Sequence, residues 1–387
     1  MTDYVLLKRA PQVVPVADIH SFGFSALNLP MAPSIETLDL APRAVVEAFR
    51  RPEVLAIAPV MPTRLIAQVA SAEADAEANG VSWGIGAVGA IDSTYTGAGV
   101  TVAVLDTGID AGHPAFAGVE IVQRDFSGDG DGDVLGHGTH CAGTILGRDV
   151  GGWRIGVARG VERLLVGKVL GNGGGGDSAM LFDGIQWAIE NGADVISMSL
   201  GFDFPGMVAR WIEQGYPPEA ATSAALEGYR ANLHMFDSLI GMVRAGAPFG
   251  RDPVVIAAAG NESMRPQYEI AASLPAAAFD VVSVAALSQA GAGYSVAPFS
   301  NNSAVLSGPG VEIVSARVGG GLIAYSGTSM ACPHVAGVAA LWCEYLASRN
   351  LTPSGANVQS KLRASARFDA IVDGDEASAG LGIASAP

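Results

Sequence analysis

Between Thr101 and Gly201, apolar runs of strand length alternate with helical stretches, which leaves a chain few ways to fold. Residues 102–105, 164–169 and 195–200 read as strands, and residues 138–146 and 179–191 read as helices. Continuous apolar strands separated by helices predict an α/β fold, with a mostly parallel sheet covered by helices on both faces. Sites in such sheets lie beyond the carboxyl ends of the strands. Asp106 falls there, directly after the run 102–105.

The 387 residues are 49% hydrophobic, enough for one large core and a smaller companion. Against 22 basic residues stand 38 acidic ones, for a formal charge of −16, which argues against nucleic acid and anionic membrane surfaces as partners. The apolar runs are also too short to span a bilayer. The first residues lack the basic, apolar and small-residue pattern of a secretory leader, and Cys141, Cys332 and Cys343 are too few and too odd in number for a disulfide framework. A cytoplasmic location is expected, or a secreted one if a leader has been removed.

Residues 1–70 form a different texture, with strands expected at 13–16 and 54–60 and a short helix at 41–50, so a small α+β domain is predicted there. Residues 71–80 are small and acidic and read as a linker. The large domain then runs over 81–387, with an enlarged segment at about 202–252 that carries a helical pattern at 220–244 behind Pro205, Pro217 and Pro218. Such a segment is either a surface excursion or an element that shapes specificity.

Three short segments carry the chemistry: Leu105-Asp106-Thr107-Gly108, Gly136-His137-Gly138-Thr139-His140-Cys141-Ala142-Gly143 and Gly327-Thr328-Ser329-Met330-Ala331. Asp, His and Ser are the side chains that together make a hydroxyl nucleophilic at neutral pH, and their order along a chain differs between unrelated folds. A fourth segment, Ala257-Ala258-Ala259-Gly260-Asn261, is an apolar run closed by an amide. Spacing alone does not choose between His137 and His140, which sit three apart on one helix face.

In this order the segments resemble the subtilisin-like serine proteases. Lys168-Val169-Leu170-Gly171, Ile196-Ser197-Met198-Ser199-Leu200-Gly201 and Pro298-Phe299-Ser300-Asn301 extend the likeness over roughly residues 80–385. The resemblance implies a serine endopeptidase acting through an acyl-enzyme on Ser329. His137 would be the base, Asp106 its orienting acid, and Asn261 the oxyanion donor beside the Ser329 N–H. It implies further that an extended protein or peptide substrate pairs with the edges 171–176 and 199–201. Gly173, Gly174, Gly175, Ser199, Leu200 and Gly201 would then hold the peptide backbone, and Ser273 would line the first specificity pocket. Pro333 is expected in the first turn of a buried helix that starts near Ser329. Residues 1–70 resemble the propeptides of this family, which assist folding and inhibit until cleaved, and self-cleavage is expected between residues 65 and 81. The alternative is a catalytically silent peptide-binding protein of the same fold.

No cofactor is required by this chemistry. Many subtilisins hold calcium through a carboxylate nine residues after the catalytic Asp, and here that place is taken by Ala115. The run from Asp125 to Asp133 reads as a solvated turn before a cation site or a negative rim, since it lacks the glycine and terminal glutamate of an EF-hand loop. Cys141 and Cys332 are expected near the triad as buried packing.

Overall fold

The computed structural model describes residues 2–11, 31–66, 69–73, 80–247 and 252–387. The strand expected at 13–16 and residues 74–79 of the expected linker lie outside these residues.

The chain divides into two compact units: Met1–Met61 with Phe204–Asp252, and Pro62–Asp203 with Pro253–Pro387. This division differs from the sequence expectation in two ways. The enlarged segment groups with the N-terminal residues, and the strand that leaves the N-terminal residues groups with the large unit.

In the larger unit, neighbouring strands run in the order 371–373, 293–296, 282–290, 254–258, 195–198, 101–106, 163–168 and 120–125, with 306–309 paired beside 282–290. Every pairing is parallel except that between Val282–Ala290 and Gly293–Val296. The strand Thr101–Asp106 is buried along its whole length because both its edges and both its faces are covered, and this explains its unbroken apolar run. Helix Thr328–Ser348 packs on the sheet with small residues in close contact: a Cβ at Gly337 would lie 2.5 Å from Val157 Cβ. An alanine there would therefore push the helix off its neighbour.

In the smaller unit, Thr2–Pro11 is the central strand of an antiparallel sheet, flanked by Met31–Leu40 and Val54–Pro59. Alternation along the strand sends Leu6 and Ile57 to a cluster with Ala48 and Val45 of helix Pro42–Ala48, while Val5, Leu7, Ala56 and Ala58 are buried on the opposite face. Helices Phe204–Glu213 and Pro218–Gly246 pack together through an edge-on pair of Phe204 and Tyr229, 6.1 Å apart. The second and longer helix packs on all three strands. From it, buried Asn232 donates its Nδ2 to the Pro59 carbonyl at 2.9 Å, and Gly228 leaves room for Pro59 and Met61. The enlarged segment is thus the packing partner of the N-terminal sheet. No helix among the described residues is long and apolar enough to cross a membrane.

Candidate active site

Asp106 ends its strand, and His137 opens helix His137–Leu146 on the neighbouring turn. His137 Nδ1 and Asp106 Oδ1 are 2.7 Å apart, both fully buried, and Asp106 Oδ1 also accepts from the Thr107 N–H at 2.7 Å. Gly136 precedes the helix with φ of 81°, a conformation that costs other residues about 1 kcal/mol or more. Gly138 allows the helix to touch the aspartate turn, since a Cβ there would stand 2.2 Å from the Gly108 carbonyl.

Asp133 holds these two segments together, and the sequence pattern did not reveal it. Rather than a solvated residue, it is a buried carboxylate. Its Oδ1 accepts from the Thr107 hydroxyl (2.9 Å) and the N–H groups of Leu135 (3.1 Å) and Gly136 (2.8 Å). Its Oδ2 accepts from the N–H (2.9 Å) and hydroxyl (2.7 Å) of Thr139. The Thr107 oxygen in turn accepts from the Gly138 N–H at 3.0 Å, so aspartate turn and histidine helix share one hydrogen-bonded knot. A negative charge at a helix start is itself favourable by about 0.3–1 kcal/mol. Asp125 folds back on Ser127 and Gly130, and Asp129 accepts from the Asn172 N–H at 2.7 Å. The acidic run therefore braces the glycine-rich edge; its exposed part is Gly128 to Asp131.

Ser329 is the second residue of helix Thr328–Ser348, where backbone N–H groups have no partner inside the helix. Pro333 stands in the second turn and not in the first as expected. It removes the N–H that would have bonded the Ser329 carbonyl. That carbonyl accepts instead from the Ser199 hydroxyl at 3.2 Å and the Cys141 thiol at 3.4 Å, so the proline frees a group that neighbouring segments use to fix the serine. Asn261 Oδ1 accepts from the Thr328 N–H (2.8 Å) and hydroxyl (2.9 Å), which fixes the orientation of its amide at the helix start. Ser329 Oγ and His137 Nε2 are buried and make no hydrogen bond among the described residues. Bonds of this kind often close only around the reacting group.

His140 is one turn away and is held otherwise. Its Nε2 bonds the Ile313 carbonyl at 2.9 Å, its ring packs 4.7 Å from Tyr325, and burial drives its pKa down to about 3. Burial likewise lowers His334 to about 4. Below pH 6.5 the unfolded chain protonates both rings while the folded chain keeps them neutral, so the unfolded state binds more protons and stability falls with falling pH. Each ring should contribute up to about 1.4 kcal/mol per pH unit between about 6.5 and 4. Denaturant unfolding of the Ser329→Ala chain at pH 7 and pH 5 checks this; equal stability at the two would sink it.

The expected backbone-holding residues meet a strand of the chain itself. Pro62–Leu65 lies antiparallel between Gly175–Asp177 and Leu200–Phe202. Leu65 N–H donates to the Gly174 carbonyl at 2.8 Å, Arg64 pairs with Gly175 and Gly201, and Leu65 pairs with Leu200. Gly173 lies in the adjoining turn, and Ser199 bonds the Ser329 carbonyl as above. Ile66 is buried beside Gly201, whose missing Cβ would be 3.5 Å from Ile66 Cγ1 and 3.6 Å from Ser273 Oγ. Val69–Glu73, placed in part within the expected linker, pairs with Leu322–Ser326, immediately before Gly327.

The residues do not fit calcium at the position the resemblance points to. Ala115 is buried there, its N–H donating to His113 Nδ1 (3.1 Å) and its carbonyl accepting from the Arg148 N–H (2.8 Å). Asp106, His137 and Cys141 bring three donor atoms within 4.8 Å of one another, but burial raises the Cys141 thiol well above its ordinary pKa and disfavours the thiolate a metal would need.

Chain order and geometry together narrow the class to serine hydrolases of the Asp-His-Ser order, built on a parallel sheet. The subtilase family pattern matches residues 97–381, and the chain belongs to that family, with its subtilisin-like α/β fold. A subtilisin-like protease of Coccidioides posadasii is 34% identical over 293 residues, covering 71% of this chain and 62% of that protein. Subtilisin E of Bacillus subtilis is 34% identical over 277 residues, with coverages of 71% and 62%. For the subtilisin of Bacillus pumilus the identity is again 34%, with coverages of 71% and 86%. The chain thus spans about three fifths of the length of the first two relatives.

Proposed function

We propose that the chain is a serine endopeptidase, made as a zymogen that cleaves itself after Ile66. The observation that carries this reading is the path of its own backbone. Pro62–Leu65 fills the place of an added strand between the two edges, Ile66 is buried next to Ser273, and Val69–Glu73 pairs with the strand leading to Ser329. Recognition through strand addition draws affinity from main-chain bonds, which any extended peptide can supply.

In the reaction, the Ser329 hydroxyl adds to the carbonyl carbon and gives its proton to His137 Nε2. Asp106 keeps the other imidazole proton on Nδ1 and stabilises the imidazolium. The oxyanion would be met by the Ser329 N–H and by Asn261. In subtilisins such a donor is known to contribute about 10²–10³ in turnover. His137 then returns its proton to the leaving nitrogen, and water releases the acyl group by the same steps. Neither metal nor redox cofactor takes part in this sequence. The segment ending at Ile66 would remain in the cleft as a product, so the N-terminal residues would act as an inhibitor until displaced.

Intact mass spectrometry of the purified chain tests the assignment. A cut at Ile66–Ala67 is expected, and a cut elsewhere between residues 60 and 81 would overturn the register. A silent peptide-binding protein would show no cut and no labelling by a fluorophosphonate.

A further inference from the structure

The cleft strand carries one charged side chain, Arg64, two residues before Ile66, and two acids meet it. Arg64 Nη1 is 3.2 Å from Asp203 Oδ1, and Nη2 is 3.5 Å from Glu262 Oε1. The acids come from segments already used by the site: Asp203 follows the edge strand Leu200–Phe202, and Glu262 follows Asn261. Asp203 also holds the same strand through its backbone, donating its N–H to the Pro62 carbonyl at 2.9 Å.

Glu262 is held in place from behind. Fully buried Asn301 accepts on Oδ1 from the N–H groups of Glu262 (3.1 Å) and Ser263 (3.0 Å), and donates Nδ2 to Glu262 Oε2 at 2.7 Å. One carboxylate oxygen is tied down, and the other faces Arg64. Gly260, with φ of 112°, makes the cradle possible, since a Cβ there would stand 2.3 Å from Asn301 Nδ2 and 2.5 Å from Glu262 Oε2. A glutamate anchored through a buried amide loses less freedom when it pairs than a loose surface one.

We infer that Asp203 and Glu262 form a specificity subsite that selects substrates with an arginine two residues before the residue whose carbonyl is attacked. The inference rests on the protease reading and on the register that seats Ile66. Arginine should be preferred over lysine, because a planar fork can reach two carboxylates at once and a single ammonium cannot. Both acids are partly exposed, with side-chain exposures of 23% and 38%, so the expected preference is moderate: about fivefold to tenfold in kcat/KM over glutamine at that place. It should shrink at 1 M salt, where the screening length falls to about 3 Å.

The net charge of −16 would attract any cationic peptide, so the test must separate local pairing from general attraction. Three peptides copied from residues 62–69 serve: Pro-Thr-Arg-Leu-Ile-Ala-Gln-Val itself, the same with glutamine for arginine, and one with arginine moved to the threonine position and glutamine in its place. Once residues 1–66 have been cut off and separated from it, the purified chain should cleave the first about fivefold to tenfold faster than either of the others, and the double variant Asp203→Asn with Glu262→Gln should bring that ratio near one. Equal cleavage of all three by the unaltered chain overturns the subsite and leaves the protease reading standing. Equal rates for the two arginine peptides, both above the glutamine one, overturn it in favour of general attraction. No cleavage of any peptide by folded chain that has released residues 1–66 overturns both readings.

Discussion

Ser329→Ala should abolish peptide cleavage and leave the chain at its full-length mass. In subtilisin, loss of the triad serine costs about a millionfold in turnover, and a loss of that order is expected here. The substitution is mild structurally. Ser329 lies in the second position of its helix with a hydroxyl that makes no hydrogen bond among the described residues, and alanine is the best helix former. The Ser329 carbonyl, which binds Ser199 and Cys141, is untouched. Folding and the cleft strand should therefore survive, so that intact mass and fluorophosphonate labelling report on chemistry alone. A variant that still trims itself would place the nucleophile elsewhere.

Asp106→Asn should lower kcat about 10⁴-fold, the loss found when the same acid is made an amide in the chymotrypsin-type triad. The carboxylate receives two N–H groups on one oxygen, from His137 and Thr107. An amide that turns its nitrogen toward His137 would force the imidazole proton onto Nε2, where the base must be free. An amide that keeps its oxygen there would still lack the charge that stabilises the imidazolium. The isosteric change leaves the knot around Asp133 in place. Stability close to the parent, measured by denaturant unfolding, together with a kcat near the parent's would show that Asp106 has no part in turnover.

The sheet and the four short segments were legible because each is a local pattern: an unbroken apolar run, a Gly-rich helix start, a strand closed by Gly-Asn. Placing His137 on Asp106 took family resemblance as well, since His140 shares its helix face. Other features were hidden because they depend on distant residues. Asp133 sits in an Asp-Gly repeat that looks solvated, and only the approach of Thr107 and Thr139 turns it into a buried acceptor. The meeting of Arg64 with Asp203 and Glu262 joins residues up to 198 positions apart. Pro333 falls in the second turn because the helix already begins at Thr328, five residues before it. The partnership of residues 204–252 with the N-terminal sheet had no local signal, since an amphipathic helix does not announce which face will receive it.

That partnership sets an order of events during synthesis. The three strands of the small sheet leave the ribosome well before the helix Pro218–Gly246 that packs on them. Until then, the small sheet lacks that cover. The pairing spans well over 150 positions of sequence, and contacts so far apart close slowly. Over the same interval the triad stays incomplete, because Ser329 is made later still. The whole chain of the small unit, through Asp252, is thus made before Ser329, the residue proposed as the nucleophile.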